Sequence, residues 1–163
     1  WGAFSNFAPL AAPIAAGPWT FATSEHLYQA AKFGAAPAVQ RRIARAPTAR
    51  EAAAIGRGEK PGLDPDWNAQ RVNVMRWVLR MKREANAAEI DAALAATGYR
   101  AIVEVSTRDA WWGANPAGGS YRGENVLGRL WMELRLQLRD GDSASQAAAW
   151  TGRIRVGRLA GGR

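Results

Sequence analysis

A chain of 163 residues suits one domain, and with 48% apolar residues it has enough to pack a single core. It contains no Cys and one His, which excludes disulfides, thiolate ligands, a Cys nucleophile and a His-rich metal site, and makes a Ser-His-Asp triad a poor fit. The balance of 22 basic against 14 acidic side chains leaves a net charge of +8, which favours an anionic partner (phosphate, nucleotide or nucleic acid) or else reflects an Arg- and Ala-rich composition.

The chain opens on Trp1-Gly2-Ala3-Phe4, with neither a basic nor an apolar leader segment, and nowhere does it run to about 18 consecutive apolar residues. A cytoplasmic protein without a membrane span is therefore expected. Thr23 or Ser24 starts a helix reaching about Phe33. Pro37 opens a short helix with Val39 and Ile43 on one face. Thr48-Ala49-Arg50-Glu51 reads as a capping box for a helix that Gly56 stops. Asp64-Pro65 reads as the start of a long helix reaching about Arg83. Its two apolar stripes, Val72-Met75-Leu79 and Val74-Val78-Met81, predict a largely buried central helix. Asn86 with Glu89 marks another box, and Gly98 closes that helix. Ala101–Ser106, β-branched and apolar, reads as the clearest strand. A Trp- and Gly-rich loop runs from Thr107 to Gly123, and Leu127, Leu130, Trp131, Leu134 and Leu138 place an amphipathic helix after it. From about Asp140 the chain reads as a tail, with a short strand expected at Arg153–Val156.

Three segments carry residues suited to chemistry. On a helix, Glu25, Gln29 and Lys32 fall on one stripe with Tyr28 beside them, bringing together a carboxylate, an amide, an ammonium and a phenol. The plainer alternative is a solvated face whose N-terminal Glu suits the helix dipole. Glu104 interrupts an apolar strand, Asp109 follows its end, and Trp111-Trp112-Gly113 offers an aromatic wall and close backbone approach. A buried carboxylate there needs partners and shifts its pKa; the alternative is an edge strand with a core Trp pair. Gly118 to Gly128 is a glycine-rich run entering a helix, a place where backbone N–H groups hold phosphate, although it matches neither a P-loop nor a strand-led G-x-G-x-x-G. Eight Trp in a chain of this length also provide stacking platforms for a base.

Phe4-Ser5-Asn6-Phe7, Thr23 to Phe33 and Gly56-Arg57, followed in order by Trp67, Val74-Met75, Thr97-Gly98, Glu104, Asp109, Trp112-Gly113 and Asn125-Val126-Leu127-Gly128, resemble the motifs of the NADAR (YbiA-like) family. The resemblance spans roughly residues 2 to 138. It implies a compact α+β domain, mostly helical around a small β-sheet, over residues 1–138, with residues 139–163 as an Ala/Gly/Arg-rich tail outside it. Family members usually carry a strand ahead of the Phe-Ser-Asn-Phe motif, which here would precede residue 1.

The activity implied is hydrolysis of N-glycosidic bonds. The family cleaves phosphoribosylamino-pyrimidine intermediates of riboflavin synthesis, and some members remove ADP-ribose from guanine in DNA. Breaking a C1′–N bond develops oxocarbenium charge on the ribose, which a carboxylate stabilises or relieves by activating water, while a second group serves the departing nitrogen. Glu25 and Asp109 are the expected carboxylates, with Lys32 tuning its neighbour. Trp112, with Trp111 beside it, stacks on the base. Asn6, Tyr28, Arg57, Glu104, Gly113 and Asn125, with the glycine-rich run, hold ribose and phosphate. No metal or cofactor is expected. The charge of +8 and the arginines at 41, 42, 45, 122, 153, 155 and 158 put ADP-ribosylated guanine in DNA ahead of the free riboflavin intermediates. A module that binds NAD or ADP-ribose without cleaving it, and a plain nucleic-acid-binding domain, are the competing readings.

Overall fold

The computed structural model describes residues 2–140. In chain order the elements are β1 (Ile14–Ala16), β2 (Trp19–Phe21), α1 (Ser24–Ala31), α2 (Pro37–Ala44), α3 (Ala49–Gly58), α4 (Trp67–Ala85), α5 (Ala87–Ala96), β3 (Asn115–Ala117), β4 (Ser120–Arg122) and α6 (Val126–Asp140). The fold is α+β and mostly helical, and its strands form two separate antiparallel pairs, β1–β2 and β3–β4. Among the described residues no helix is long and apolar enough to cross a membrane. The tail beyond residue 140, with the strand expected at Arg153–Val156, lies outside the described residues.

Helix α1 is the centre of the molecule. Every residue from Ser24 to Ala31 is buried, with α2, α3 and α4 packed around it. The solvated face that its polar residues suggest is therefore wrong. Glu25, His26 and Gln29 lie inside, and each has a partner. Thr23 caps the helix, its hydroxyl accepting from His26 N at 3.3 Å. The His26 ring spans Thr23 Oγ1 at 2.8 Å and the Ala46 carbonyl at 3.0 Å. Because a carbonyl only accepts, Nε2–H donates to Ala46 O. The chain's one histidine is thus a structural tie between α1 and the turn after α2.

Several boundaries differ from those read in the sequence. Gly56 does not stop α3, which continues to Gly58. Asp64 does not cap α4: its carboxylate accepts from Asp66 N at 2.8 Å in a local turn, and the helix begins at Trp67. Asn86 does not cap α5. Its side chain accepts from Ala12 N and donates to Ala12 O, both at 2.9 Å, clamping the N-terminal segment onto the end of α4. Burial of α4 falls mainly on its second half, at Val74, Met75, Trp77, Val78, Leu79, Arg80 and Lys82.

Residues 101–106 do not form a strand. Among the described residues their one pairing of that kind is a parallel bridge, Val105 to Ala114. Ala114 N donates to Glu104 O at 2.8 Å and Ala114 O accepts from Ser106 N at 3.0 Å, while the side chain of Asn125 accepts from Glu104 N and donates to Ile102 O at 2.9 Å each. The loop expected after this segment contains the β3–β4 hairpin, turned by Gly118 and Gly119 at φ of 53° and 81°. Two successive positive φ values define a two-residue hairpin turn that glycine makes at least steric cost.

The apolar core joins Phe21, Leu27, Phe33, Ile43, Val78, Leu79, Ile90 and Trp131 across all layers. Each such side chain contributes about 1.5–3 kcal/mol on burial, against under about 1 kcal/mol for an exposed ion pair such as Arg42–Glu59. Burial therefore decides the fold. It also seats the N-terminal segment: Trp131 Nε1 donates to Phe4 O at 3.0 Å, Lys82 Nζ to Ser5 O at 2.9 Å, and Glu25 N to Asn6 O at 3.0 Å.

Candidate active site

These ties bring the N-terminal segment, α1, α3, α4 and the 104–113 segment around one cleft of about 390 Å³. Of the residues singled out in the sequence, Asn6, Glu25, Tyr28, Lys32, Arg57, Glu104, Asp109, Trp112 and Gly113 line it. Gln29, Trp67, Arg71 and Met75 line it as well. The α4 contribution, Trp67-Arg71-Met75, is spaced i, i+4, i+8 and forms one helix face; of the three, only Met75 belongs to an apolar stripe.

Glu25 is 7% exposed and Gln29 4% exposed. Gln29 Nε2 donates to Glu25 Oε1 at 2.6 Å. Burial pushes the Glu25 carboxyl above its ordinary pKa, opposed by the Gln29 hydrogen bond and by the charges of Lys32 and Arg57. Burial likewise pushes the Lys32 ammonium down, opposed by Glu25. Lys32 Nζ stands 5.6 Å from the ring centres of both Tyr28 and Trp67. Burial also raises the Tyr28 phenol, aided by Glu25, so it stays protonated and able to donate. On the opposite wall, burial and the neighbouring Asp109 raise the Glu104 carboxyl.

Asp109 is exposed, and its Oδ1 accepts from the backbone N–H groups of Trp111 and Trp112 at 3.0 and 2.8 Å. It fixes the turn that aims the two indoles. Trp112 meets Tyr28 edge-on, with centroids 5.6 Å apart, and Trp111 edge-on at 4.6 Å. A Cβ at Gly113 would come within 2.5 Å of Glu104 O, so only glycine lets this turn close on the extended segment.

Two expected site residues do not line the cleft. Trp111 backs Trp112 and carries Arg71, whose guanidinium carbon lies 3.7 Å from its ring centre. Asn125 holds the 102–104 segment. The glycine-rich phosphate cradle is also corrected. The backbone N–H groups of Glu124, Asn125, Val126 and Leu127 donate to the carbonyls of Ala110, Gly113, Trp111 and Trp112 at 2.7–3.1 Å. The start of α6 is spent on the Trp turn, and the glycines at 118 and 119 make the hairpin.

The family model for the NADAR domain matches residues 1–139. The chain is 42% identical over 138 residues to N-glycosidase YbiA of Escherichia coli (strain K12), covering 85% of this chain and 82% of that protein. It is 35% identical over 139 residues to riboflavin biosynthesis protein VVA0006 of Vibrio vulnificus (strain YJ016), covering 85% of this chain and 36% of that longer protein. Its fold matches the NMR structure of the E. coli protein YbiA with a TM-score of 0.72 at 39% identity, over 87% of this chain and 80% of that one.

Proposed function

The chain belongs to the NADAR domain family, and from that premise we propose that its cleft hydrolyses the N-glycosidic bond of a phosphorylated ribosyl substrate. The observation that carries this reading is a buried carboxyl, Glu25, in a cleft that also holds aromatic rings and three cations, Lys32, Arg57 and Arg71. The reaction breaks C1′–N, adds the water oxygen to C1′ and puts a proton on the departing nitrogen. Relatives named N-glycosidase support that chemistry.

The rings suit a base, and the cations suit phosphate and developing negative charge. Glu25, with its raised pKa, suits proton transfer at the bond being cleaved. Asp109, at the cleft's open side, is the second carboxylate, suited to the oxocarbenium face or to the attacking water. Trp112 supplies the stacking wall; Asn6, Tyr28 and Glu104 supply polar contacts to the ribose.

A phosphoribosylamino-pyrimidine is the substrate that fits best. The cleft lining holds three carboxyl groups, Glu25, Glu104 and Asp109, as well as its three cations, so the net charge inside is modest and suits one or two phosphates. The name of the Vibrio relative points the same way. ADP-ribosylated guanine in DNA is the second reading, favoured by exposed Arg41, Arg45 and Arg122. Those arginines lie outside the cleft lining, as does Arg42, which pairs with Glu59.

The test is to incubate the protein separately with a phosphoribosylamino-pyrimidine and with DNA bearing ADP-ribosylguanine, and to identify products by mass spectrometry. Release of ribose 5-phosphate from the first is expected. Cleavage of the DNA substrate alone, with a Michaelis constant rising steeply between about 50 and 200 mM salt, selects the second reading. Binding of either without product overturns the hydrolase.

A further inference from the structure

Arg71 differs from the other two cations of the cleft. Lys32 and Arg57 both act on Glu25, so their charge is answered by a buried carboxyl. Arg71 acts instead on the Tyr28 phenol, as do Glu25 and Asp109. Its guanidinium carbon stands 3.7 Å from the centre of the Trp111 ring. Arg71 is half-buried and lines the cleft. None of the ion pairs or side-chain hydrogen bonds among the described residues includes its guanidinium. Asp109, another charged residue of the lining, has Oδ1 committed to two backbone N–H groups.

A guanidinium in stacking contact with an indole is held in place by the ring, yet its N–H edge remains available. A half-buried cation without an anion is an unfavourable arrangement in the free protein and becomes favourable when an anion arrives. Its planar fork matches two oxygens of one phosphate. Position 71 follows Trp67 by one helical turn, so Arg71 and a ring of the cleft are presented on one face of α4. Trp111 is itself fixed by Asp109, and it backs Trp112, so the stack and the aromatic wall are one unit.

We propose that Arg71, seated on Trp111, is the phosphate grip of the cleft and sets its preference for phosphorylated over unphosphorylated ribosyl ligands. This rests on the ribosyl reading above and deepens it. The phosphate has two sources, the terminal monoester of a ribose 5-phosphate or the diphosphate of ADP-ribose. The assignment gives Trp111, which does not line the cleft, a reason to be tryptophan: it orients the guanidinium.

The test is calorimetric titration of the intact protein with ribose, ribose 5-phosphate and ADP-ribose, a readout independent of turnover. Wild type is expected to bind at least one phosphorylated ligand about tenfold or more tighter than ribose. Arg71→Gln is expected to remove that preference while leaving ribose binding unchanged, and Trp111→Leu to weaken it in the same direction. Arg71→Lys keeps the charge but loses the stacked fork, and is expected to fall between. Loss on ribose 5-phosphate identifies a monoester grip; loss on ADP-ribose alone identifies a diphosphate grip. A wild type without phosphate preference, or an Arg71→Gln protein that keeps it or loses ribose equally, overturns the assignment. A protein that shows the grip yet cleaves no N-riboside retains this inference and loses the hydrolase reading.

Discussion

The side chain of Gln29 occupies the space that a Cβ at Gly56 would take: such an atom would come within 2.1 Å of Gln29 Oε1 and 2.9 Å of its Cδ. The glycine of α3 thereby lets Gln29, 4% exposed, sit where its Nε2 reaches Glu25 at 2.6 Å. The environment of the buried carboxyl is thus set by a residue on a different helix.

Gly56→Ala tests that relationship. In a helix interior this change ordinarily stabilises by about 0.5–1 kcal/mol. Here the added methyl displaces Gln29, which is walled in, from Glu25. The melting temperature is expected to stay level or fall, and the hydrolysis rate to drop by about tenfold or more. Thermal melts and turnover assays check both; a more stable variant with full activity contradicts the account.

Glu25 gives a pH signature. Its folded pKa lies above its unfolded value because burial disfavours the charge. The folded state therefore holds this proton more tightly than the unfolded chain, and stability is lost as pH rises through the folded value. Glu25→Gln removes that cost while keeping an acceptor for Gln29. It is expected to melt at or above wild type at pH 7, with the difference closing below about pH 4. Melting curves from pH 3 to 8 measure it, and a variant less stable than wild type across that range contradicts it.

Lys82 is 1% exposed, and burial pushes its pKa down to about 8, opposed by Glu89 and Glu104. For a base with a depressed folded pKa, the fold favours the neutral form. Stability is present at high pH and lost as pH falls from the ordinary lysine value of about 10.4 through about 8. Wild type is expected to gain stability relative to Lys82→Met as pH rises from 8 to 10. A pH-independent difference between the two melts argues against a strained buried charge.

Asn125 is a structural residue of the site. It takes φ of 49° and makes both bonds to the 102–104 segment. Asn125→Asp keeps one acceptor and loses the donor to Ile102 O, opposing two acceptors. A destabilisation of about 1–3 kcal/mol is expected, with kcat falling more than the Michaelis constant rises. A selective rise in the Michaelis constant at unchanged stability instead identifies Asn125 as a substrate contact.

The sequence made the helices legible because their apolar spacing and caps are local: Thr23, Pro37 and Thr48 mark the observed starts of α1, α2 and α3. It also assembled most of the cleft lining through the family motifs. What it concealed depended on tertiary partners. Ala101 to Ser106 has the composition of a strand, but the fold offers it a single bridge to Ala114 and the side chain of Asn125 instead of a neighbouring strand. Gly56 has the look of a helix stop, but it is a packing site for Gln29. The polar residues of α1 resemble a surface stripe because a sequence does not show that α2, α3 and α4 pack around that helix. The hairpin β1–β2 escaped because each strand is three residues long, too short for alternation to register.

The central claim, that buried Glu25 drives cleavage of a ribosyl C1′–N bond, is tested most directly by single-turnover hydrolysis of a phosphoribosylamino-pyrimidine, followed by NMR of the released ribose 5-phosphate. Wild type is expected to release it, and Glu25→Gln to do so about two orders of magnitude or more slowly with an unchanged amide spectrum. A Glu25→Gln protein that turns over at near the wild-type rate contradicts the claim.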